Sequence, residues 1–347
     1  MIQRLSGSAM TARSGLRSSA MPRLKQRGFT MVELLVALVI SLLIALAAIS
    51  ALTVTRQGFT TVDVASQLRD NGRFATDLIQ RLAVQSGYQD TPYAATATPP
   101  STVGIASNPE PGIKGFNNAL ADSTDPLNTS TVRTAGADGY GSDVLILRYQ
   151  TGETFPGSGV SDKSMIDCIG VPSTSIPTGR YDRMVSIFHV ALSQGEQSLM
   201  CTALNSTTGN FYTQPIVQGI ENFQVLYGTD GVTAGAAPTA APTTVPDHFL
   251  RADQMTVAGD AVATNANWRR VRSLRIGMVL RGPLNSAQEK VAQTLYPLGL
   301  AKSSSTGAAG SAMSSSSDPG TVYTTPADGR LRQVLTFTVH LRNDQGL

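Results

Sequence analysis

The chain has 347 residues, of which 32 are glycine and 18 are proline. Its length could hold two average domains, but the Gly, Pro and Ser/Thr/Ala-rich stretches predict one domain with long loops. Residues 1–28 hold six of the 27 basic residues and no acidic residue, so the rest has 21 basic against 24 acidic residues. This slightly acidic remainder gives no support to a nucleic-acid-binding surface.

The first predicted element is an apolar helix. Leu34 to Leu52 are 19 residues without a charge, and at about 1.5 Å per residue they match the roughly 30 Å of a hydrocarbon core. Basic residues precede this run, while Arg56 and Asp63 follow it, so the positive-inside rule predicts a cytoplasmic N-terminus with most of the chain on the far side. A cleaved secretory signal fits less well because its apolar region is shorter. A plain uncleaved signal anchor is the alternative.

One carboxylate, Glu33, stands at the start of the apolar run, within the stretch RGFTMVELLVALVI. In an apolar phase it costs a few kcal/mol unless it is paired or lies at the interface, where it would be a bystander. The stretch resembles the class III leader junction of type IV prepilins and pseudopilins. The resemblance implies cleavage between Gly28 and Phe29 by a prepilin peptidase, followed by N-methylation of Phe29.

The same resemblance gives Glu33 a role in assembly. Cleavage creates an α-amino cation at Phe29, and Glu33 lies four residues further on, one helical turn away. In a filament, Glu33 of one subunit would neutralise the Phe29 amine of its neighbour, which removes two unpaired charges from an apolar setting. A 28-residue leader is long for this class, and starts at Met1, Met10 or Met21 stay open.

The helix is expected to continue beyond the membrane to Tyr88. No proline occurs between Pro22 and Pro92, and an apolar stripe recurs at helical spacing. Its members are Leu68, Ala75, Leu78, Ile79 and Leu82. The alternative is a separate short helix after a break at Gly58 or Gly72.

A second resemblance covers most of the chain. The segment DNGRFATDLIQRLAVQSGYQD, residues 70–90, is similar to the region after the membrane helix of PilW-type minor pilins. Four later segments resemble that family in the same order: GSDVLILRYQ (141–150), ENFQVLYGTDG (221–231), RRVRSLRIGMVLRG (269–282) and LTFTVHLRN (335–343). The chain departs at Asp90 and Thr91, where relatives often carry Cys, so no disulfide is transferred to that end of the helix.

The predicted fold is α+β and pilin-like, a long N-terminal helix packed on an antiparallel sheet with long loops. Six segments are predicted to be strands, and in the last of them Leu335, Phe337, Val339 and Leu341 alternate with polar residues, as expected for a sheet with one buried face. The six segments cover Asp143–Tyr149, Arg183–Leu192, Gln197–Leu204, Phe223–Tyr227, Val271–Leu280 and Leu331–Leu341. The predicted organisation is a leader (1–28), a transmembrane assembly helix (29–55), a periplasmic helix half (56–90), a variable loop (91–142) and a β-rich domain (143–347) with flexible inserts at 233–246 and 302–320.

Two cysteines, Cys168 and Cys201, lie in the exported part. In an oxidising periplasm they are expected to form a disulfide, which closes a loop of roughly 33 residues and stabilises the fold by about 3–4 kcal/mol. Two buried free thiols are the alternative.

Catalysis finds little support in the sequence. The three histidines, His189, His248 and His340, are far apart, and neither a metal-ligand motif nor a phosphate loop is present. Trp268 beside RRVRSLR could suggest nucleic-acid binding, but these arginines alternate with apolar residues as in a strand with a solvated face. We therefore expect no enzyme activity, no cofactor and no nucleic-acid partner.

The interpretation is a PilW-like minor pilin that is required for type IV pilus biogenesis, as part of the priming or tip complex, and so for twitching motility and adhesion. The resemblance implies four partners: the prepilin peptidase, other minor pilins, the major pilin and the inner-membrane assembly platform. The expected location is the inner membrane, with a periplasmic C-terminal domain, and then the pilus. The alternatives are a J-type minor pseudopilin of type II secretion, a competence pseudopilus component, and a signal-anchored periplasmic enzyme or binding protein.

Overall fold

The computed structural model describes residues 28–90, 108, 110–129, 131–179, 182–205, 208–239, 241–299, 313, 315 and 317–343. The predicted leader, apart from Gly28, lies outside these residues, as does most of the 302–320 insert. The chain divides into two compact units, one that ends at Thr55 and one from Arg56 onward. Each is described by itself.

The helical part of the first unit is residues 31–55 of helix α1, which spans Met31–Gln85. Every residue from 31 to 55 is exposed, and the helix is long and apolar enough to cross a membrane. The hydroxyl of Ser41 donates to the Leu38 carbonyl at 2.9 Å, and that of Ser50 donates to the Ala47 carbonyl at 2.8 Å. These hydroxyls need no water, which suits a helix in an apolar environment.

In the second unit, residues 56–85 of α1 bury one face. The expected continuous helix is confirmed and the alternative break is excluded, because Gly58 and Gly72 both lie inside the helix. Gly72 allows close packing on the sheet, since a Cβ at this position would lie 3.2 Å from the side chain of Leu335. The buried face confirms the predicted stripe and extends it; its members are Val64, Leu68, Gly72, Ala75, Ile79, Leu82 and Ala83.

Two antiparallel sheets make up the larger part of the second unit. The five-stranded sheet has the order β1-β2-β3-β4-β5, with β1 Ile113–Phe116, β2 Val144–Tyr149, β3 Met184–Ser193, β4 Glu196–Leu204 and β5 Phe211–Gln218. The four-stranded sheet has the order β11-β8-β6-β7, with β6 Ile220–Thr229, β7 His248–Leu250, β8 Val271–Arg281 and β11 Arg332–His340. A two-stranded pair joins β9 Thr294–Leu295 to β10 Tyr323–Thr324, and a short helix α2 spans Ala261–Arg269.

The main core is formed by the buried face of α1 and by apolar residues of both sheets. Trp268, on α2, closes one side of this core with its ring edge-on to Tyr227, the centroids 4.7 Å apart. Trp268 is buried, so it contributes to packing rather than to a basic surface. The helix-and-antiparallel-sheet architecture confirms the predicted α+β class.

The predicted variable loop, 91–142, needs a correction in its second half. It contains strand β1, and its residues around Ala119 form a second, smaller core on the outer face of β2 and β3. Arg133 fastens this segment, because its guanidinium donates to the carbonyls of Ala119, Asp138 and Val190. Strand β2 is therefore buried on both faces. Polar loop composition concealed this covering layer, since few apolar residues are needed to form it.

Candidate assembly site

The predicted processing and assembly residues lie together at the start of α1, in the first unit. Gly28 and Phe29 precede the helix; Phe29 is 82% exposed, and nothing lies within 4 Å of a Cβ built on Gly28. The peptide bond between them is therefore free of packing within the described residues. A peptidase can reach such a bond without unfolding the helix.

Glu33 makes a reciprocal cap with Thr30. The Thr30 backbone N–H and hydroxyl both donate to Glu33 Oε2 at 2.9 Å, while the Glu33 N–H donates to Thr30 Oγ1 at 3.3 Å. The Thr30 carbonyl accepts the first helical bond, from Leu34 N–H, at 3.1 Å. This is a capping box, in which two N–H groups that the helix leaves unsatisfied are satisfied by side chains.

The capping box was missed at the sequence level, although the Thr-x-x-Glu spacing of residues 30–33 is its signal. All the hydrogen bonds to the Glu33 carboxylate end on Oε2, so Oε1 accepts none from the described residues. Glu33 can therefore cap its own helix and still offer an oxygen to a cation from outside the chain. Capping also holds the carboxylate at Thr30, the residue that follows Phe29 in the chain.

Cys168 and Cys201 lie in the second unit, where both are buried. The structure pairs them as a disulfide with Cα atoms 5.8 Å apart, a usual separation for such bonds. The pair attaches the 161–173 segment to strand β4. Beside it, desolvation raises the pKa of Tyr212 to about 12, and the hydrogen bond that its hydroxyl donates to the buried carboxylate of Asp167 at 2.8 Å adds to this shift.

A buried charge network joins the two sheets. Glu221 of β6 accepts two bonds from the Arg332 guanidinium, at 2.7 and 2.9 Å, and a third from Arg281 at 3.1 Å. Glu196, at the start of β4, accepts from both Arg281 and Arg330. Through Arg281, which donates to both glutamates, the network links strands of the four-stranded sheet to β4 of the five-stranded sheet.

Other polar residues of the resembling segments serve as anchors. Asp143 is buried and accepts the N–H groups of Asn118 and Val225 at 2.9 and 2.8 Å, while burial raises its pKa well above its usual value. Asn343 donates its amide to the last carbonyls of α1, including that of Val84 at 3.0 Å. Both side chains bind backbone groups of other elements, so these two segments contribute polar contacts that stabilise the fold.

The histidines do not converge. His189 is buried and its Nε2 lies 2.9 Å from the hydroxyl of Thr202, while burial lowers its pKa to about 4. Across the part of the chain that the structure describes, no group of three or more His, Cys, Asp or Glu side chains is placed to hold a metal ion.

Comparison with known proteins agrees with the two resemblances. Residues 23–49 match the family model described as Prokaryotic N-terminal methylation motif, which places a prepilin-type N-terminus on this chain. At this end the chain is thus similar to prepilin-type proteins of type IV pilus systems. Residues 187–343 match the model described as Type IV Pilus-assembly protein W, which confirms the predicted similarity to PilW-type proteins.

A solved type IV-like pilin from Thermus thermophilus is also similar, at 12% identity and a TM-score of 0.35, over 79% of this chain and 95% of its own. A likeness at this level supports no inference about function. The comparison with curated proteins gave no match.

Proposed function

We propose that this chain is a minor pilin that is cleaved between Gly28 and Phe29, N-methylated at Phe29, and assembled through its apolar helix into the complex that initiates a type IV pilus. Its partners would be the prepilin peptidase, other minor pilins, the major pilin and the inner-membrane assembly platform. Before assembly it would span the inner membrane once, with the second unit in the periplasm. There the pairing of Cys168 with Cys201 would form in an oxidising compartment.

The observation that carries the proposal is the position of Glu33 on the apolar helix, together with the free oxygen of its carboxylate. Glu33 is the only acidic residue from 28 to 55, and it stands in the first turn of α1, whose residues 31–55 are apolar in character and all exposed. Its Oε1 lacks a hydrogen bond within the described residues. A helix of this kind is stable among lipids or other apolar helices, where an unpaired carboxylate is costly. A cation supplied by a neighbouring subunit removes this cost.

Cleavage at Gly28 supplies such a cation. The Phe29 amine of one subunit and the Glu33 carboxylate of the next would form a pair that exists only when the helices stand in the correct register. Removal of one partner from a buried pair costs about 3–5 kcal/mol. Because every 1.4 kcal/mol is about tenfold in an equilibrium constant, loss of Glu33 should weaken docking more than a hundredfold.

Three substitutions separate the charge of Glu33 from its capping role. Glu33→Ala removes both, Glu33→Gln keeps a side-chain oxygen for the cap but removes the charge, and Thr30→Ala weakens the cap but keeps the charge. Loss of a cap costs about 0.5–2 kcal/mol. All three proteins should still insert in the membrane and be cleaved at Gly28.

We expect Glu33→Ala and Glu33→Gln to remain in the inner membrane, with surface pili reduced more than tenfold, and Thr30→Ala to support pili near the normal number. The measurement is sheared-pilus yield together with immunoblots of membrane fractions at native expression. Normal piliation by Glu33→Gln, with a defect in Thr30→Ala, would show that Glu33 only caps the helix. That result would contradict the proposed assembly role.

A further inference from the structure

Strand β11 leaves one edge of the four-stranded sheet open. Its pairing with β8 fixes which main-chain groups point outward, because Leu341 N–H donates to the Arg272 carbonyl and Gly282 N–H donates to the Leu331 carbonyl. In an antiparallel pair such hydrogen-bonded positions alternate, so the odd-numbered residues of β11 bond to β8. The even-numbered residues direct their N–H and C=O groups away from the sheet.

Four consecutive outward positions are unpaired. Within the residues that the structure describes, the main-chain groups of Val334, Thr336, Thr338 and His340 make no hydrogen bond. The N–H and C=O groups on such an edge form a ready template for one more strand, which is why edges are usually shortened or interrupted.

The edges formed by β1, β7 and β5 are each too short or too irregular to pair well with an added strand. Strand β1 has four residues and β7 has three. Strand β5 is long, but it carries a register shift and Pro215. Since Asn205 N–H donates to the Asn210 carbonyl, odd-numbered residues at that end of β5 face outward, and Pro215 offers no N–H there. Among the described edges, β11 alone is long, regular and free of proline.

A groove lies between this edge and α1, within the second unit. The edge groove is defined by Ser66, Leu68, Arg69, Asp70, Gly72 and Arg73 of the helix and by Leu280, Gln333 and Leu335 of the sheet, and it has a volume of about 340 Å³. Leu335 is only half-buried although it packs against the core. The groove thus has room for the inward side chains of an added strand.

Charge indicates which strand fits. The helical rim of the edge groove carries two exposed cations, Arg69 and Arg73, against one carboxylate, Asp70. A second copy of β11 would not complement this rim, because residues 332–340 contain no acidic side chain that could lie over Arg69 and Arg73. A strand with an acidic side chain over the rim is complementary.

We propose that the β11 edge binds an extended segment of a different pilin subunit, which adds as a fifth strand and places an acidic side chain over Arg69 and Arg73. This inference rests on the proposed function, because it assumes a neighbouring pilin in the same complex. It adds a second contact, made by main-chain hydrogen bonds, to the contact made by the apolar helix.

The test is photo-crosslinking of the full-length chain in its own cells. With Ser66 replaced by p-benzoyl-phenylalanine, the edge groove should give an adduct, and mass spectrometry should identify its partner as another subunit with a prepilin-type N-terminus. Thr338→Pro removes an outward N–H without loss of a bond to β8, and it should reduce the adduct at least tenfold. Thr338→Ala, its matched control, should leave the yield unchanged.

A second pair of variants leaves the strand untouched. Arg73→Glu should reduce the adduct several-fold, whereas Arg81→Glu, an exposed arginine on the same helix outside the groove, should have no effect. The inference is overturned by the absence of an adduct, by an adduct with a second copy of this chain, or by equal yields from Thr338→Pro and Thr338→Ala.

Cleavage at Gly28 and recovery of the chain in pili, measured in the same cells, test the proposed function separately. Cleavage at Gly28 and recovery of the chain in pili, without an adduct at Ser66, would overturn the edge proposal alone. A chain that is neither cleaved nor assembled would overturn both proposals.

Discussion

Polarity is arranged in opposite ways in the two units. In the first, apolar side chains are exposed, such as Leu43 at 63%, and one carboxylate, Glu33, stands among them. In the second, charged side chains are buried, and Glu221 and Arg332 pair at 1% and 2% exposure. The first unit is therefore built for a non-aqueous surrounding that other molecules supply, while the second satisfies its charges from within.

The difference teaches where each unit is vulnerable. Apolar exposure costs about 25 cal/mol per Å² in water, so residues 31–55 depend on lipid or on neighbouring helices. A buried charge costs several kcal/mol unless it is paired, so the second unit depends on its own partners. Mutations in the first unit should affect assembly, and mutations in the second should affect folding.

The largest expected effect on folding is at Glu221. Glu221→Ala leaves Arg281 and Arg332 without their shared buried partner, and we expect the free energy of unfolding to fall by about 3–5 kcal/mol. Glu196→Ala is the matched control, because Glu196 touches the same network but is 39% exposed, and it should cost about 1 kcal/mol or less. Denaturant titration of the full-length chain in detergent measures both, and equal losses would show that burial of the pair does not matter.

The disulfide between Cys168 and Cys201 should stabilise the second unit mainly by restricting its unfolded chain. In the chain-entropy model, a disulfide that closes a loop of roughly 33 residues stabilises by about 3–4 kcal/mol. Cys168→Ala with Cys201→Ala should therefore lower the denaturation midpoint, and reduction of the wild-type protein should lower it by a similar amount. Recovery of both cysteines as alkylatable thiols from unreduced, periplasm-exposed protein would contradict the proposed bond.

His189 makes the second unit sensitive to acid. Its pKa is lowered to about 4 by burial, with a smaller contribution from Arg133, whereas an unfolded His titrates near 6.5. Between these values the unfolded chain binds a proton that the folded chain excludes, so stability falls as the pH falls from 6.5 to 4, by about 3 kcal/mol. His189→Asn should remove this part of the pH dependence, and an unchanged pH profile would show that folding does not lower the pKa of His189.

The smallest expected loss of folding stability comes from a substitution at Asn343, which contacts the C-terminal end of α1. Asn343→Ala removes the amide that binds the Val84, Gln85 and Ser86 carbonyls, which should cost about 0.5–1.5 kcal/mol. Arg342→Ala, its exposed neighbour, should change stability by less than about 0.5 kcal/mol. Hydrogen exchange should show faster exchange in the last turn of α1 for Asn343→Ala alone.

Sequence patterns predicted the elements whose apolar spacing is regular. The stripe from Leu68 to Leu82 and the alternation from Leu335 to Leu341 both indicate one buried face, and α1 and β11 have one. The strands that were not predicted lack this regular apolar spacing. Strand β5 contains Pro215 and exposed residues, and β1 and β7 are shorter than any periodic window.

Helix α2 was also missed, because its nine residues lack an apolar stripe and it begins from a side-chain cap. The Asp260 carboxylate accepts the Ala263 N–H at 2.9 Å. At the candidate site, the resemblance predicted the roles of Gly28, Phe29 and Glu33. The capping role of Thr30 was recognised only from its hydrogen bonds to Glu33 in the structure. Pairing of distant charges such as Glu221 with Arg332 depends on strand order, which periodicity does not encode.

The most direct test of the central claim is the N-terminus of the chain in its native membrane. Intact-mass and terminal-peptide mass spectrometry should find a chain that begins at N-methylated Phe29. Gly28→Val should accumulate as the uncleaved precursor, while Gly28→Ala, with a small residue at the scissile bond, should be processed at least in part. A wild-type chain that keeps its leader, or a Gly28→Val chain that begins at Phe29, would contradict the account.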